Sequence, residues 1–490
     1  MNGRNEEDRR IYERSARLIL LLALREVCPG ARLRIEHSIG HGVYMNVSGV
    51  SLTAALVRRI EQRMHEIAQK DLPIIKSRWT RRQAMDYFAQ QGQEDTVRLL
   101  GYRPFEHFDV YTCDGLSEYF YGDMAASTGE IRSFALRFYY PGMVLLLPGD
   151  DLSGEPAPFA ERPQLMRTYA EANEYSRILQ CESAADLNDI IVRGDARMFI
   201  RVNEALQDRA IAQIAERIVA RGARVVFIAG PSSSGKTTFA NRLSIQLRVS
   251  GKRPVAISLD NYYLNREDVP LGEDGTPDLE CLESIDVPLF NEQLVELLAG
   301  REVELPRYSF QTKRREAQGV KMRMAEEDIL LVEGIHGLND ALSCDIPSEF
   351  KFRVYVSALT QLNLDGHNRI RTTDVRLMRR MVRDHRTRAT NALETLQMWD
   401  KVRAGEEKYI FPFQEKADVM FNTSLLYEIA VLKKYAYPML SAIGTDSPYY
   451  TRARRLCKFL HYFKDLEEES EIPPTSILRE FIGGCSFYET

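Results

Sequence analysis

Apolar residues in the first third of the chain follow two different periods. Four segments repeat apolar positions at helical spacing: 9–28, 52–68, 80–90 and 93–100. Three other segments have the β-branched and aromatic content of strands: 32–36, 42–47 and 108–147. The mixture of the two patterns predicts an α+β domain over residues 1–150.

A different pattern begins further along the chain. Residues 151–222 open with a segment rich in Gly, Pro and Asp and continue as helix, which is typical of a linker. From 223 to 445, short apolar strands alternate with helices, and this predicts a parallel sheet flanked by helices. The predicted strands are 225–229, 254–258, 329–332, 352–356 and 417–421. For residues 446–490 the pattern predicts a helical tail that becomes less regular, and it assigns this tail no chemistry.

The turn after the first of these strands carries a phosphate-binding motif. The sequence Gly230-Pro231-Ser232-Ser233-Ser234-Gly235-Lys236-Thr237-Thr238 matches G-x-x-x-x-G-K-[ST] between a strand and a predicted helix over 236–249. In such a loop the backbone N–H groups hold phosphate oxygens, the lysine contacts the β- and γ-phosphates, and the following hydroxyl contacts Mg²⁺. The predicted nucleotide-binding residues are Gly230, Ser232, Ser233, Ser234, Gly235, Lys236, Thr237 and Thr238.

Two acidic residues stand at the ends of other predicted strands. Asp260 follows the strand at 254–258, where it can face the γ-phosphate and accept a proton from an attacking hydroxyl. Glu333 ends the strand at 329–332, a position that supports Mg²⁺ or its water, so Thr237 and Glu333 form the predicted Mg²⁺ site. A helix-capping role for Asp260 and a structural role for Glu333 are the alternatives.

An arginine-rich segment provides the positive charge that phosphoryl transfer requires. Eight arginines lie between 369 and 388, and Arg376, Arg379/Arg380 and Arg383 share one face if the segment is helical. Arginines that close over the transferring group stabilise the charge on its oxygens. A solvated charged face and an RNA-binding face are the alternatives, and we expect only two or three of the eight to contact phosphate.

Residues 225–435 resemble the uridine kinase/phosphoribulokinase family of P-loop kinases. The motifs GPSSSGKTT, LDNYY, PRYSF, LLVEGIHGL, RLMRRMVRD and EKADVMFN occur in the family's order. The resemblance implies an α/β P-loop kinase fold, ATP and Mg²⁺ as cofactors, and phosphorylation of a sugar hydroxyl. In uridine kinases that hydroxyl is the 5′-hydroxyl of uridine or cytidine.

The resemblance also implies roles for individual residues. Asp260 corresponds to the catalytic base, and Lys236, Arg376, Arg380 and Arg383 to the groups around the transferring phosphate. The implied acceptor-binding residues are Tyr263, Glu280, Tyr308 and Lys313.

The acceptor segments depart from the family pattern. This chain has Glu280-Cys281-Leu282-Glu283 in place of Asp-His-Pro-Asp, Ser309 in place of an Asp, and Lys313 in place of a His that contacts the base. A lysine cannot accept a hydrogen bond from a base, whereas a neutral histidine can. The run 313–315 is basic and would suit a negatively charged acceptor, so the identity of the acceptor stays open.

The N-terminal region has a resemblance of its own. The stretches IEHSIGHG and YTCDGLSEYF...STGEI resemble the second additional domain of threonyl-tRNA synthetases, the module that edits mischarged tRNA. That family pairs H-x-x-x-H with C-x-x-x-H, and here the last position is Ser117. His37, His41 and Cys113 remain as candidate metal ligands, while the simpler interpretation is a repurposed domain without metal.

Composition and charge limit the partners. The net charge of −5 gives no global basic field, which argues against nucleic acid as a general partner. The apolar run 18–24 is too short to span a membrane, and seven cysteines without a C-x-x-C favour a reducing cytoplasm. We expect a small-molecule acceptor as the partner, and the resemblance suggests a homo-oligomer.

Three functions remain open at this point. The first is an ATP-dependent nucleoside kinase that acts on uridine or cytidine. The changed acceptor segments motivate a sugar-phosphate kinase of the phosphoribulokinase type. The editing-domain resemblance and the arginine run motivate an RNA-binding regulator that ATP switches.

Overall fold

The N-terminal region combines helices with two antiparallel sheets. The computed structural model describes residues 3–149, 152, 154–272, 275–309 and 311–487. The helices of this region are α1 (Gly3–Val27), α2 (Ala54–Gln69), α3 (Arg81–Gln90) and α4 (Glu94–Tyr102). Its strands are β1 (Arg32–Ile39), β2 (Gly42–Ser48), β3 (Ile75–Thr80), β4 (His107–Cys113), β5 (Leu116–Glu118), β6 (Ala135–Tyr139) and β7 (Gly142–Leu146). One sheet has the order β1-β2-β7-β6 and the other β3-β4-β5, which confirms the predicted α+β fold.

The helical linker consists of three helices. They are α5 (Pro163–Ile178), α6 (Ala184–Arg193) and α7 (Ala196–Arg221). Gly194 ends α6 in the left-handed region, and Ser183 begins it with a side-chain cap to the amide of Asp186. Buried residues of α6 and α7 belong to the largest apolar cluster, whereas Leu165 and Tyr169 of α5 belong to a smaller one.

The second half of the chain contains the predicted parallel sheet. Its strands are β8 (Val225–Ala229), β9 (Arg253–Ser258), β14 (Asp328–Glu333), β15 (Lys351–Ser357) and β18 (Val419–Asn422), in the order β18-β15-β8-β14-β9. All four neighbouring pairs are parallel. The helices are α8 (Lys236–Val249), α9 (Val287–Leu298), α10 (Thr372–Arg388), α11 (Ala392–Tyr409) and α12 (Glu428–Ser441). The strand β8 is central and buried throughout, so the loop that follows it lies in the middle of the sheet's carboxyl edge.

Short hairpins surround this sheet. Their strands are β10 (Val303–Leu305), β11 (Tyr308–Ser309), β12 (Arg314–Arg315), β13 (Val320–Met322), β16 (Asn363–Asp365) and β17 (Asn368–Arg369). The pairs are β10 with β13, β11 with β12 and β16 with β17. The first two hairpins lie in the acceptor segments named above, and the third contacts the N-terminal region.

The last residues return to the core of the parallel sheet. They include α13 (Tyr450–Leu460) and the short helix α14 (Arg479–Ile482). Leu456, Tyr462, Ile477 and Phe481 are almost wholly buried, in the same apolar cluster as residues of β8 and α8. Among the described residues, no helix is long and apolar enough to cross a membrane.

Buried ion pairs connect the N-terminal helix with the second half of the chain. The Asp374 carboxylate at the start of α10 accepts hydrogen bonds from Arg10 of α1 and from Arg455 of α13, at 2.9 and 2.7 Å. These two arginines hold the pKa of Asp374 well below its usual range despite its burial. The Glu13 carboxylate of α1 forms ion pairs with Arg369 and Arg371. Buried charges therefore connect three parts of the sequence: α1, the segment 369–374 and α13.

A second polar cluster at this interface predicts that alkaline pH destabilises the protein. His367, between β16 and β17, lies 3.0 Å from the buried Glu118 carboxylate. Burial opposes the charge on His367, but Glu118 and the nearby Asp365 and Asp95 raise its pKa to about 9. Burial and Asp95 raise the pKa of Asp365 to about 7. Both pKa values lie above those of the unfolded chain, so the folded state holds more protons and loses stability as pH rises.

We expect the free energy of unfolding to fall by about 1–3 kcal/mol between pH 6.5 and 9 through this cluster. Urea titrations of the wild type and of His367→Gln across this range measure the effect, and the variant should show a flatter dependence. His107→Gln removes an exposed histidine and serves as the control. Equal pH slopes in all three proteins would contradict the prediction.

Candidate active site

The phosphate-binding loop has the backbone shape that its motif requires. Residues 230–235 connect β8 to α8, and the first helical hydrogen bond runs from Phe239 N–H to Gly235 C=O. The amide groups of Lys236, Thr237 and Thr238 thus lie in the first turn, where amides have no partner within the helix and point toward a bound anion. The Lys236 ammonium donates to the Pro231 carbonyl at 3.2 Å.

Two glycines of this loop are required by their surroundings. A Cβ on Gly230 would lie 1.9 Å from the carbonyl oxygen of Val356 in the neighbouring strand β15. Gly235 has a φ of +84°, and a Cβ there would lie 2.6 Å from the Ile477 side chain. Both glycines allow close packing around the loop as well as close approach by phosphate.

The predicted Mg²⁺ ligands are in contact. The Thr237 hydroxyl lies 3.0 Å from each carboxylate oxygen of Glu333, which ends β14 beside the loop. Burial raises the pKa of Glu333 to about 7, with Asp260 adding to this effect and Lys236 opposing it. A hydroxyl and one carboxylate fit Mg²⁺, which completes its shell with water and substrate phosphates. The donor set therefore suits this metal.

Asp260 comes just after β9, the strand beside β14, at the same carboxyl edge of the sheet. Glu333 pairs in register with Ser258, and Asp260 follows two residues later in a short 3₁₀ turn. Its side chain faces the open cleft, yet the surrounding protein excludes enough solvent to raise its pKa, while Lys236 and Arg388 oppose that rise. A carboxylate with a raised pKa is a better proton acceptor for a hydroxyl.

Three charged side chains contact the P-loop residue Ser232. Glu406 of α11 accepts from its amide at 2.9 Å, Arg376 donates to its carbonyl at 2.9 Å, and Arg380 donates to its hydroxyl at 2.7 Å. Arg376 also pairs with Glu406, and both are fully buried. Sequence analysis missed Glu406, because an isolated glutamate within a helical pattern gives no signal of its contacts.

The arginine-rich segment is neither a wholly solvated face nor one set of phosphate ligands. It is the helix α10 together with β17, and most of its arginines pair with protein carboxylates. Arg379 is fully buried against Glu428, and Arg383 pairs with Asp384 at 2.8 Å. The alternative of a solvated face holds only for the end of the helix, where Arg386 and Arg388 are exposed, while Arg376 and Arg379 are buried. Of the three arginines that we singled out, Arg380 reaches the loop with its guanidinium partly accessible.

Of the predicted acceptor residues, Tyr263 lies near Asp260, Glu280 and Tyr308. The rings of Tyr263 and Tyr308 lie 5.6 Å apart between centroids, and the Tyr263 hydroxyl donates to the Leu279 carbonyl. Burial raises the pKa of Glu280, Glu406 adds to the rise, and Arg380 and Lys236 oppose it. Glu280 is therefore close to the groups around the P-loop, as an acceptor-binding carboxylate should be.

The arginines of the basic run 313–315 have partners within the protein. Arg315 donates to the carbonyls of Tyr262 and Tyr263 and pairs with Asp286 at 3.0 Å, and Arg314 pairs with Glu267 at 2.6 Å. The suggestion that this run suits a charged acceptor stays a prediction, since the Arg314 pair is exposed to solvent. Lys313 is exposed in the turn after β11, with a φ of +59°.

His336 is a further residue that sequence analysis missed. It follows Glu333 by three positions and is almost wholly buried, with its ring 6.4 Å from that of Tyr409. Burial lowers its pKa to about 4, while the backbone of Cys281 and Glu280 opposes this shift. His336 is therefore a neutral residue packed behind the segment that carries Glu280.

The structure does not bring the N-terminal metal candidates together. His37 is on β1 and stacks on Tyr169 of α5 at 3.5 Å, and burial lowers its pKa to about 3. His41 lies in the next turn near Arg9, and Cys113 lies in the other sheet within an apolar core. Among the residues that the structure describes, no group of three or more His, Cys, Asp or Glu side chains is arranged for a metal ion. The proposed H-x-x-x-H metal site is thus not formed, because its strand buries His37 against the linker.

Comparison with known proteins finds different relatives for the parallel-sheet region and for the N-terminal region. Residues 225–429 match the Phosphoribulokinase / Uridine kinase family. A uridine kinase of Lactobacillus helveticus is 27% identical over 197 residues, which cover 40% of this chain and 84% of that protein. A uridine kinase of Schizosaccharomyces pombe is 31% identical over 193 residues, which cover 39% of this chain and 38% of that protein.

The N-terminal region has a relative of a different kind. A threonine–tRNA ligase of Methylobacillus flagellatus is 29% identical over 138 residues, which cover 28% of this chain and 22% of that protein. Residues 225–429 are therefore similar to the phosphoribulokinase/uridine kinase family, and the α+β region before them is similar to part of a threonine–tRNA ligase.

Proposed function

We propose that this protein is an ATP- and Mg²⁺-dependent kinase that phosphorylates the 5′-hydroxyl of a nucleoside, with uridine and cytidine as the first candidates. The observation that carries the proposal is the convergence of Lys236, Thr237, Glu333 and Asp260 at one edge of the parallel sheet. Phosphoryl transfer needs a phosphate cradle, a metal site and a base beside the acceptor, and this edge provides all three.

Each residue has a role in this proposal. The P-loop amides from Ser233 to Thr238 and the Lys236 ammonium bind the nucleotide phosphates. Thr237 and Glu333 hold Mg²⁺, which neutralises charge on the phosphate oxygens when it is bound. Asp260 orients the acceptor hydroxyl and accepts its proton, and Arg380 and Arg383 lie on the helix that faces the transferring group. Arg376 positions the P-loop through Ser232.

The acceptor side of the cleft favours a neutral, ring-containing substrate over a sugar phosphate. Tyr263 and Tyr308 offer an aromatic pair, and Glu280 offers a carboxylate that ribose hydroxyls can donate to. Arg314 and Arg315 pair with Glu267 and Asp286, which leaves less positive charge for a second phosphate than unpaired arginines would. Lys313 is the remaining cation of this run and is exposed.

The test is ADP release with Mg·ATP against a panel of nucleosides and sugar phosphates. We expect turnover with uridine or cytidine. Turnover with ribulose 5-phosphate or another sugar phosphate alone would replace the nucleoside by that acceptor and keep the kinase mechanism. ATP binding without acceptor-dependent turnover, together with steeply salt-dependent RNA binding, would favour the RNA-binding regulator instead.

Tyr308 provides a specific test of the acceptor site. Tyr308→Ala removes one ring of the aromatic pair, and we expect the KM for the nucleoside to rise about tenfold, since a ring contact contributes about 1–1.5 kcal/mol. The KM for ATP should change little, because the P-loop is not touched. Tyr308→Phe keeps the ring and should behave like the wild type. An unchanged acceptor KM in Tyr308→Ala would place the acceptor elsewhere in the cleft.

A further inference from the structure

The C-terminal turn, residues 476–485, forms one wall of the nucleotide site. The Ser476 hydroxyl donates to the buried Glu204 carboxylate at 2.6 Å, and Ile477, Leu478 and Phe481 are fully buried. Ile477 packs against Gly235 of the P-loop. The backbone of this turn is therefore fixed by the core, and it holds its remaining side chains at the loop.

Glu480 is the polar residue that this turn presents to the P-loop. Its carboxylate accepts a hydrogen bond from the Thr238 hydroxyl at 2.7 Å and lies 3.4 Å from the Thr238 amide nitrogen. Thr238 is in the first turn of α8, and amide groups at this position of a P-loop hold phosphate oxygens. The Thr238 hydroxyl thus holds a carboxylate of the protein beside the Thr238 amide, which is a donor that a nucleotide phosphate would use.

The Glu480 carboxylate also lies near Glu333, so it adds negative charge beside the loop. On the other side, Arg386 of α10 donates to the backbone carbonyl of Glu480 at 3.1 Å and fixes the position of the residue. Glu480 is only half-buried, so its side chain can rotate away while its backbone stays in place.

We propose that Glu480 competes with the phosphates of ATP for the P-loop donors and lowers the affinity of this site for nucleotide. Nucleotide binding then requires the Glu480 carboxylate to move away from the Thr238 amide, because a phosphate at that amide would repel it and compete for the same N–H. This inference rests on the proposed function only in that the P-loop binds ATP. It concerns how tightly ATP binds and not which acceptor is phosphorylated.

The test is the Kd for Mg·ATP of the full-length protein and its Glu480→Gln variant, measured by calorimetry. The substitution keeps the size of the side chain and removes its charge. We expect the Kd of the variant to be lower by about fivefold or more, since hydrogen bonds to charged groups contribute about 1.5–3 kcal/mol and a tenfold change corresponds to 1.4 kcal/mol. Glu480→Ala should change the Kd in the same direction.

A matched control comes from the same part of the chain. Glu471→Gln changes a glutamate that pairs with Arg201 on α7, and its Kd should stay within about twofold of the wild type. A second readout is the melting temperature without nucleotide, which we expect to be equal or slightly lower in Glu480→Gln, while the stabilisation by ATP increases.

The outcomes separate the two proposals. An unchanged or higher Kd in both Glu480 variants would overturn the competition and leave the kinase proposal intact. A lower Kd without phosphate transfer to any acceptor would support the competition and contradict the kinase proposal. No ATP binding by any of the proteins would overturn both.

Discussion

Asp260→Asn is expected to lower kcat by about 10²- to 10⁴-fold, which is the usual contribution of a general base. An amide cannot accept the proton of the acceptor hydroxyl, and no other carboxylate is proposed for this role. The Kd for ATP should change by less than about threefold. Asp260 follows β9 and not the P-loop strand, so the substitution leaves the phosphate-binding amides unchanged. ADP release and calorimetry measure the two quantities on the same preparation.

The matched control is Asp268→Asn, which changes an exposed aspartate of the same loop region. It should keep kcat within about twofold of the wild type, as surface substitutions usually do. If Asp260→Asn retained full activity with an unchanged pH profile, Asp260 would not be the base, and Glu280 would be the next residue to test. If it lost ATP binding as well, a folding defect would be the explanation.

The arrangement of the parallel sheet could be predicted well from the sequence, for a physical reason. A strand buried on both faces gives a short apolar run, and Val225–Ala229 and Asp328–Glu333 have this pattern. The turn after such a strand is constrained by steric limits, as the Gly230 contact with Val356 shows. Local sequence therefore determines where Lys236, Thr237, Glu333 and Asp260 lie along the sheet edge.

The contacts that tune this site could not be predicted in the same way. Glu406 reaches Ser232 from a helix that lies 174 positions away, and Glu480 reaches Thr238 from 242 positions away. Such contacts depend on tertiary packing and leave no periodic signal. The same limit applies to the ion pairs of Arg314 and Arg315, whose partners lie on other segments of the chain.

The H-x-x-x-H motif of the N-terminal region does not lie on a helix, where its two histidines would share a face. His37 and His41 have the spacing of metal ligands, but the strand β1 and the following turn direct them to different surroundings. The ring of His37 is covered by Tyr169, and its Nε2 lies 3.3 Å from the sulfur of Met166. Both covering residues come from the linker helix α5, so the sequence of the motif itself does not indicate them.

Glu406→Gln is expected to destabilise the fold by about 3–5 kcal/mol, the usual effect of breaking a buried ion pair. The substitution leaves the buried Arg376 guanidinium without its carboxylate and removes one charge partner of Arg403. Glu406 accepts from the Ser232 amide and Arg376 donates to the Ser232 carbonyl, so the pair fixes the two peptide groups that flank this residue. Without Glu406 the P-loop should therefore also lose its defined shape. Urea unfolding measures the first effect, and the Kd for ATP measures the second.

Glu407→Gln is the matched control for this change, since the neighbouring glutamate is exposed and pairs with Arg403 alone. We expect it to cost less than about 1 kcal/mol, in line with surface pairs. A similar loss in both variants would mean that the Arg403 pairs, and not the Ser232 clamp, provide the stability. A large loss confined to Glu406→Gln, together with weaker ATP binding, would mean that the pair beneath the loop maintains both the fold and the phosphate cradle.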